Sequence, residues 1–388
     1  MQLQASDIWD GLDRAVVKGM VVQEGDRFRL GESVRDYARE QVSGEDDART
    51  RNRHFSFFAE MAIDTEHRVR GPKQRFWLNA FQNESENLRA ALDWAFHNAD
   101  LFAAGQEMLY NVTPFYFIRG AFAEALRWYE IALSLPVSSD HDLRSRLFRR
   151  AGLMALYNDD AQSKLWLQTA LEEARMSGVE ATIADALYSY GNYLHVHRRF
   201  DESLPYLLES LQQFRKLHDV YGMGFALARL GTTAFLTGDF DKARAHFNEC
   251  LAVRTESEDT RGIGASFALL SALAMQQGEV AQAKGLCREA LALFAELGTE
   301  LDFADSLLVA AWIGALENKP QIAATLIGFS DTVSQNHNVR RDPAELEDYR
   351  RANEETRRRL DAEMFHEKWS AGRNLNVAQA LELAKQVL

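Results

Sequence analysis

The chain predicts an all-α protein in which helical hairpins stack into a solenoid. Only six prolines occur in 388 residues, and Ala, Leu, Glu and Arg are abundant, side chains that lose little freedom in a helix. A block of small, turn and apolar residues recurs about every forty positions, and a fixed period of that size marks stacked repeats. Within each block the apolar residues fall at i, i+4, i+7 and i+8, the stripe of a helix packed on one face.

Residues 1–44 stand apart. "GLDRAVVKGMVVQEGDRFRLGESVRDYARE", Gly11 to Glu40, reads as a helix, two short strands around the turn Gly25-Asp26, and a second helix. That is the back half of a winged helix. Residues 1–42 carry eight acids (Asp7, Asp10, Asp13, Glu24, Asp26, Glu32, Asp36, Glu40) and six bases (Arg14, Lys18, Arg27, Arg29, Arg35, Arg39). A face that grips duplex DNA shows clustered positive charge, so a connector is expected here and nucleic-acid contact by this chain alone is disfavoured. Residues 45–105 read as a helical connector, a degenerate repeat, and 336–388 as a helical cap.

Residues 106–335 hold the repeats. In "ALARLGTTAFLTGDFDKARAHFNECL", Gly231, Phe240, Phe247 and Cys250 stand forty positions after Gly191, Phe200, Leu207 and Ser210. The next step places Ser271, Gly278, Ala283, Cys287 and Ala290 in the same register, and a further one Ala311, Asn318 and Ala323. Stepping back gives Ala151 with Asn158-Asp159-Asp160, Leu167 and Ala170, then Thr113 with Gly120, Ala125, Tyr129 and Ala132, six units in all. A glycine inside a helix costs ~1 kcal/mol relative to alanine, so its recurrence implies a neighbouring helix too close for a side chain. Such hairpins cannot bury their own faces and must stack.

The pattern Leu-Gly, Gly-Asp-Phe, Ala-x-x-x-Phe-x-x-Ala-Leu resembles the tetratricopeptide repeat, most clearly over residues 180–300. The resemblance implies a right-handed superhelix whose first helices line a concave groove. Upstream, "WLNAFQNESENLRAALDWAFHNAD", with Trp77, Glu84, Glu86, Asn87, Leu88, Ala91 and Trp94, is similar to a block in bacterial signal-transduction ATPases of the LuxR and AfsR regulator type (STAND class). The partial winged helix and the tail, with Phe365, Trp369, Gly372, Arg373, Ala378 and Leu381, resemble the same family. Its phosphate-binding GxxxxGK[ST] loop does not occur in this sequence. The chain is therefore expected to be the sensor portion of such a protein, whether fragment, split gene product or stand-alone descendant, and not to hydrolyse ATP. An upstream nucleotide-binding domain is an implied partner.

Other chemistries lack support. The formal charge of −13 opposes general binding to phosphate backbones. Cys250 and Cys287 show no CxxC and no His at metal spacing, so buried thiols in a reducing compartment are expected. His195 and His197 lie two apart and point in different directions, and His366-Glu367 does not continue as HExxH, so no metal site is expected. Arg357 to Arg359 follow Glu354 and Glu355 on a helix and read as a solvated face. No nucleophile–base signature points to catalysis. With no secretory signal and no apolar stretch long enough to span a bilayer, a cytoplasmic protein without membrane contact or cofactor is expected.

In tetratricopeptide arrays the groove-lining positions are the second, fifth, ninth and twelfth when the glycine is eighth. Transferred here they select Tyr110 and Phe117, Phe148, then Asp185, Tyr188, Asn192 and His195, and Phe225, Thr232 and Phe235. Arg149 and Arg229 stand one place off this line and are expected at the rim. Aromatic rings, an amide and two arginines suit a peptide, a protein or a small polar ligand. The expected role is non-catalytic recognition, a sensor and scaffold region of a bacterial transcriptional regulator. The rival is a free-standing protein–protein adaptor with no sensing role; an enzyme is the least favoured reading.

Overall fold

The computed structural model describes residues 5–388 other than 26, 42–43, 72, 137–138, 159 and 340. The expected turn residues Asp26 and Asp159, and the side chains of Asp7, Glu32 and Arg39, lie outside what is described. The chain divides into two units, residues 1–58 and 59–388.

The first unit runs α1 (Ala5–Val17), β1 (Val21–Glu24), β2 (Arg27–Leu30), α2 (Glu32–Gln41) and most of α3 (Gly44–Ala62). The strands pair antiparallel, Val21 opposite Leu30 and Glu24 opposite Arg27. Gly25 turns the hairpin at φ 64°, a left-handed conformation that costs glycine nothing. Trp9 stands against Phe28 with ring centres 5.9 Å apart, yet Trp9, Val17, Val22, Leu30 and Tyr37 stay exposed.

The second unit begins with α4 (Thr65–Arg68), α5 (Gln74–Asn83) and α6 (Ser85–Phe96). Six hairpins follow: α7/α8 (Phe102–Ile118, Phe122–Ser134), α9/α10 (His141–Tyr157, Ser163–Ser177), α11/α12 (Glu180–Val196, Phe200–Leu217), α13/α14 (Val220–Leu236, Phe240–Glu256), α15/α16 (Thr260–Gln276, Val280–Leu297) and α17/α18 (Glu300–Leu316, Pro320–Asn336). The chain ends in α19 (Pro343–Arg357), α20 (Ala362–Gly372) and α21 (Val377–Lys385). The all-α superhelical repeat array expected from the period is the observed fold.

The recurring small residue does what its periodicity implies. A Cβ on Gly231 would lie 2.4 Å from the Phe247 ring, one on Gly191 3.0 Å from Leu207, and one on Gly152 2.5 Å from Leu167. Where Ser or Thr replaces the glycine its hydroxyl finds a partner: Ser271 Oγ donates to the Ala283 carbonyl at 2.8 Å, and Thr113 Oγ1 meets the Tyr129 hydroxyl at 2.6 Å. These contacts correct one register. Gly152 takes the close position in α9, not Ala151, so the groove-lining positions of that helix shift one residue towards the C-terminus.

From residue 178 to residue 338 a left-handed residue ends a helix every twenty positions: Gly178, Arg198, His218, Gly238, Glu258, Gly278, Gly298, Asn318 and Asn338. A left-handed cap satisfies the last carbonyls and turns the chain at each helix end, so the turn spacing and helix length repeat together. Asp219, Asp239 and Asp259 then cap the next helix through backbone N–H groups at 2.9, 3.2 and 3.0 Å.

The array curls until its ends approach. Arg119 Nη1, after α7, donates to the Gly298 carbonyl before α17 at 3.1 Å, and the Arg261 N–H donates to Gln74 Oε1 at 2.9 Å. The concave face therefore becomes a channel. At the C-terminal end α18 and α20 cross in backbone contact: a Cβ on Gly328 would sit 1.9 Å from the Trp369 carbonyl oxygen, and one on Gly372 1.9 Å from that of Thr325. Gly328→Ala is expected to cost about 1–3 kcal/mol, because neither backbone can yield without moving a helix. A urea midpoint equal to wild type would show that the helices part freely.

Candidate ligand channel

The first helices α7, α9, α11, α13, α15 and α17 wall the channel, and two other segments of the same chain cross it. At the N-terminal side α4 and its flank enter. Glu66 binds Arg150 at 2.8 Å and also pairs with Arg70, whose guanidinium lies 4.6 Å above the Phe225 ring. Burial would raise the Glu66 carboxyl, but Arg70, Arg150 and Arg149 together hold it down at about 2. Arg149 in turn binds Asp185 at 2.9 Å and donates to the Tyr110 hydroxyl at 3.4 Å. The Tyr110 ring lies between the guanidinium groups of Arg146 and Arg150, at 4.1 and 5.1 Å. Burial raises the Asp185 carboxyl despite Arg149.

At the C-terminal side the start of α19 enters. Asp342 is its N-cap, accepting from the Ala344 N–H at 3.2 Å while Glu345 Oε2 accepts from the Asp342 N–H at 2.7 Å. The same Asp342 carboxylate binds Arg229 of α13 at 2.5 Å and faces His195 Nε2 of α11 at 3.8 Å. His195 is buried, and its Nδ1 is 2.8 Å from Thr233 Oγ1. Since Thr233 donates to the Arg229 carbonyl at 2.9 Å, its oxygen accepts from Nδ1–H, which leaves Nε2 without a hydrogen bond. Burial and the nearby Arg229 charge lower the His195 imidazole, favouring that neutral form over an imidazolium.

Two cavities of 210 Å³ each flank this contact. An aromatic cavity is lined by Phe117, Phe122, Tyr157, Tyr188 and Phe225. An acidic cavity is lined by the apolar Phe235, Phe247, Leu269, Phe294 and Val309 together with Asp305, Glu345 and Asp348. Arg229, Arg254, Asp302, Asp305, Asp342 and Glu345 border both.

The sequence-selected residues distribute unevenly over this geometry. Phe117, Tyr188 and Phe225 line the aromatic cavity, Thr232 and Phe235 the acidic one, and Arg229 both. Tyr110, Arg149 and Asp185 belong to the ion-pair cluster around α4. Asn192 is buried and donates to the Tyr157 hydroxyl at 3.4 Å, with its own Oδ1 unpartnered. Phe148 lies outside both cavities, its ring 6.0 Å from the Arg144 guanidinium, because the register of α9 is one residue later than the sequence pattern suggests. For the same reason Arg149 faces inward and is buried instead of reaching the rim. Arg229 likewise lies inside the channel, only 14% exposed, for a different reason: it is drawn to Asp342.

Sequence reasoning does not reach Asp305, Glu345, Asp348, Glu66, Arg150 or Arg254. For Asp305 a signal exists: the positional rule, carried two hairpins further, selects Ala265, Ala268, Ala272 and then Asp305, all on the acidic cavity wall. Asp342-Pro343-x-Glu345 is readable as a capping box, though not its place in the channel.

Both cysteines are buried and free, and burial pushes the Cys287 thiol up to about 12, so Cys287 is no ready nucleophile. Among the described residues no group of His, Cys, Asp and Glu could hold a metal ion, and no helix is long and apolar enough to cross a membrane.

Residues 182–256, hairpins α11/α12 and α13/α14, match the tetratricopeptide repeat family. Over 255 residues the chain is 28% identical to provisionally named HTH-type transcriptional regulators of Mycobacterium tuberculosis and Mycobacterium bovis, covering 61% of this chain. It spans only 28% of the length of those relatives. A Rap protein solved in complex with competence and sporulation factor superposes with a TM-score of 0.53 at 13% identity, over 84% of this chain and 100% of that one. A Pyrococcus horikoshii signal-transduction ATPase with numerous domains and a tetratricopeptide repeat sensor gives a TM-score of 0.49 at 13% identity, over 100% of this chain and 61% of that one. Residues 59–388 thus form an all-α superhelical repeat array with tetratricopeptide repeats at its centre.

Proposed function

We propose that the channel of residues 59–388 recognises a ligand on behalf of a bacterial transcriptional regulator. The observation that carries this reading is the Asp342–Arg229 contact. A segment from the C-terminal end of the array holds a groove residue between two cavities. A ligand that engages Arg229, Tyr188 or the carboxyls would change what α19 can bind, and it can shift such an equilibrium only by its difference in affinity for the two arrangements. The similarity to longer regulators supports a role in transcription. The apolar side chains left exposed in residues 1–58, Trp9, Val17 and Tyr37 among them, support docking of a further domain there, for which the nucleotide-binding domain of signal-transduction ATPases is the proposed partner.

A thermal-stability screen of metabolites and short peptides tests this, because binding to the native state alone raises apparent stability. A true ligand is expected to lose at least about tenfold in affinity on Tyr188→Ala, equivalent to about 1.4 kcal/mol, with helicity unchanged. A ligand indifferent to Tyr188→Ala and to Phe235→Ala would place recognition outside the channel. If no small ligand registers and a protein partner is captured on the convex side, the chain is an adaptor.

A further inference from the structure

We propose that the acidic cavity binds a small organic cation, an ammonium group carried on one aliphatic or aromatic body, with Asp305 and Asp348 as the receiving carboxylates. The inference deepens the ligand-recognition reading and rests on it.

The charges around the cavity do not balance within the chain. Arg229 is committed to Asp342, while Arg254, whose Nη1 donates to the Gly262 carbonyl and Ser266 Oγ at 3.0 Å, keeps one positive charge against the three carboxyls of Asp305, Glu345 and Asp348. Arg261 holds Asp302 through two bonds of 2.7 Å, Arg341 holds Asp331 at 3.0 Å, and Arg351 holds Glu347 at 2.9 Å. Among the described residues no base lies within ion-pair distance of Asp305, Glu345 or Asp348. Glu345 at least caps the Asp342 N–H. Asp348 lines the cavity and is only 9% exposed, and its Oδ1, itself buried, has no hydrogen-bond partner. Buried polar atoms are normally paired, so a cavity-lining carboxyl with one oxygen unpartnered is short of a donor that the chain does not supply.

The remaining walls set the body of the ligand. Phe235, Phe247, Leu269, Phe294 and Val309 offer apolar surface to anything above the carboxyls. The 210 Å³ volume exceeds the roughly 150 Å³ of an apolar cavity that admits benzene, which leaves room for a ring and a short arm. An anion would repel every carboxyl there that ionises, and a neutral alcohol could donate a hydrogen bond but would form no ion pair with one. Empty, the cavity meets its charge deficit with protons: burial raises the Asp305 and Asp348 carboxyls to about 7 and about 8. A bound ammonium ionises them, so binding expels protons to the buffer.

The test is isothermal titration at pH 7 with phenethylamine, 2-phenylethanol and phenylacetate on the full chain, each in two buffers of different ionisation enthalpy. The expected result is saturable binding of phenethylamine with a heat that differs between buffers, at least tenfold weaker binding of the alcohol, and none of the acid. Asp348→Asn should weaken the amine at least tenfold and reduce the released protons, with an unchanged or higher melting temperature in the absence of ligand. Asp305→Asn provides the second variant should the first not fold. Competition by N-acetyl-Gly-Lys-Gly-amide, whose one ammonium is the lysine side chain, would assign the ammonium to a peptide side chain, and its absence to a free amine; the cation assignment stands in both cases. No binding of phenethylamine at millimolar concentration, or equal affinity for the alcohol, or indifference to both substitutions, overturns it. If ligands without a cation then stabilise the protein through Tyr188, ligand recognition survives and only the charge assignment falls.

Discussion

Asp342→Ala is expected to lower the free energy of unfolding by about 3–5 kcal/mol, the cost of leaving one partner of a buried ion pair alone. Arg229 and Asp342 are 14% and 12% exposed, so losing the carboxylate leaves a largely buried guanidinium without its counter-charge. The substitution also removes the N-cap of α19. Asp342→Ala combined with Arg229→Met should recover a large share of the loss, since a well-packed apolar pair avoids the desolvation of both charges. The pH dependence follows from the same contact. Burial alone would raise the Asp342 carboxyl, but Arg229 and the Ala344 N–H outweigh it and hold the carboxyl below its ordinary value. A depressed carboxyl contributes stability above its unfolded value of about 3.9 and loses it as pH falls through the folded value. Wild type should therefore lose more stability than Asp342→Ala on acidification below pH 4. Urea unfolding at pH 7 and pH 3 reads both effects, and a loss under 1 kcal/mol at pH 7 would mean that α19 leaves the channel without cost.

The period of forty carried most of the fold because it is enforced locally. A left-handed turn every twenty residues and a small residue eleven positions into each first helix are constraints on neighbouring helices, and these write themselves into the sequence at fixed spacing. Where the spacing relaxes to 39 between α7, α9 and α11, the pattern slips by one, which is why a strict period of forty points to Phe148 in the groove and Arg149 at the rim. Nothing comparable marks what crosses the channel. Glu66 meets Arg150 across 84 positions, and Asp342 meets Arg229 across 113. Such contacts occur once, have no period, and depend on the curvature summed over several hairpins. Aromatic residues at Tyr188 and Phe225 were legible because they sit on the repeating line. The carboxyls that give the acidic cavity its character, Glu345 and Asp348, come from a helix outside the repeat.

The other large effect is expected with rising pH and has the opposite sign from that of Asp342. Burial raises the Asp348 carboxyl, with Glu347 and Asp305 adding to the rise and Arg351 opposing it, to about 8. Burial raises Asp305 to about 7, against Arg341 and reinforced by Asp302 and Asp342. Glu345 moves the same way, from burial and from Asp305 and Asp342. For a carboxyl with a raised folded value the native state binds the extra proton, so its favourable contribution is complete below about 3.9 and is lost as pH climbs through the folded value. His195 and His246 work against this below about 6.5, because burial lowers both and protonation there opposes folding. The comparison that isolates the carboxyls is therefore between proteins rather than between pH values. Asp348→Asn should gain on wild type by about 2–4 kcal/mol between pH 5 and pH 8, a window bounded by the ordinary and the raised values of this group. Asp305→Asn should gain less and level off nearer pH 7. Parallel urea-stability profiles for wild type and Asp348→Asn would mean that Asp348 is already solvated or paired in the folded protein, and the acidic cavity would then have no charge deficit for a cation to fill.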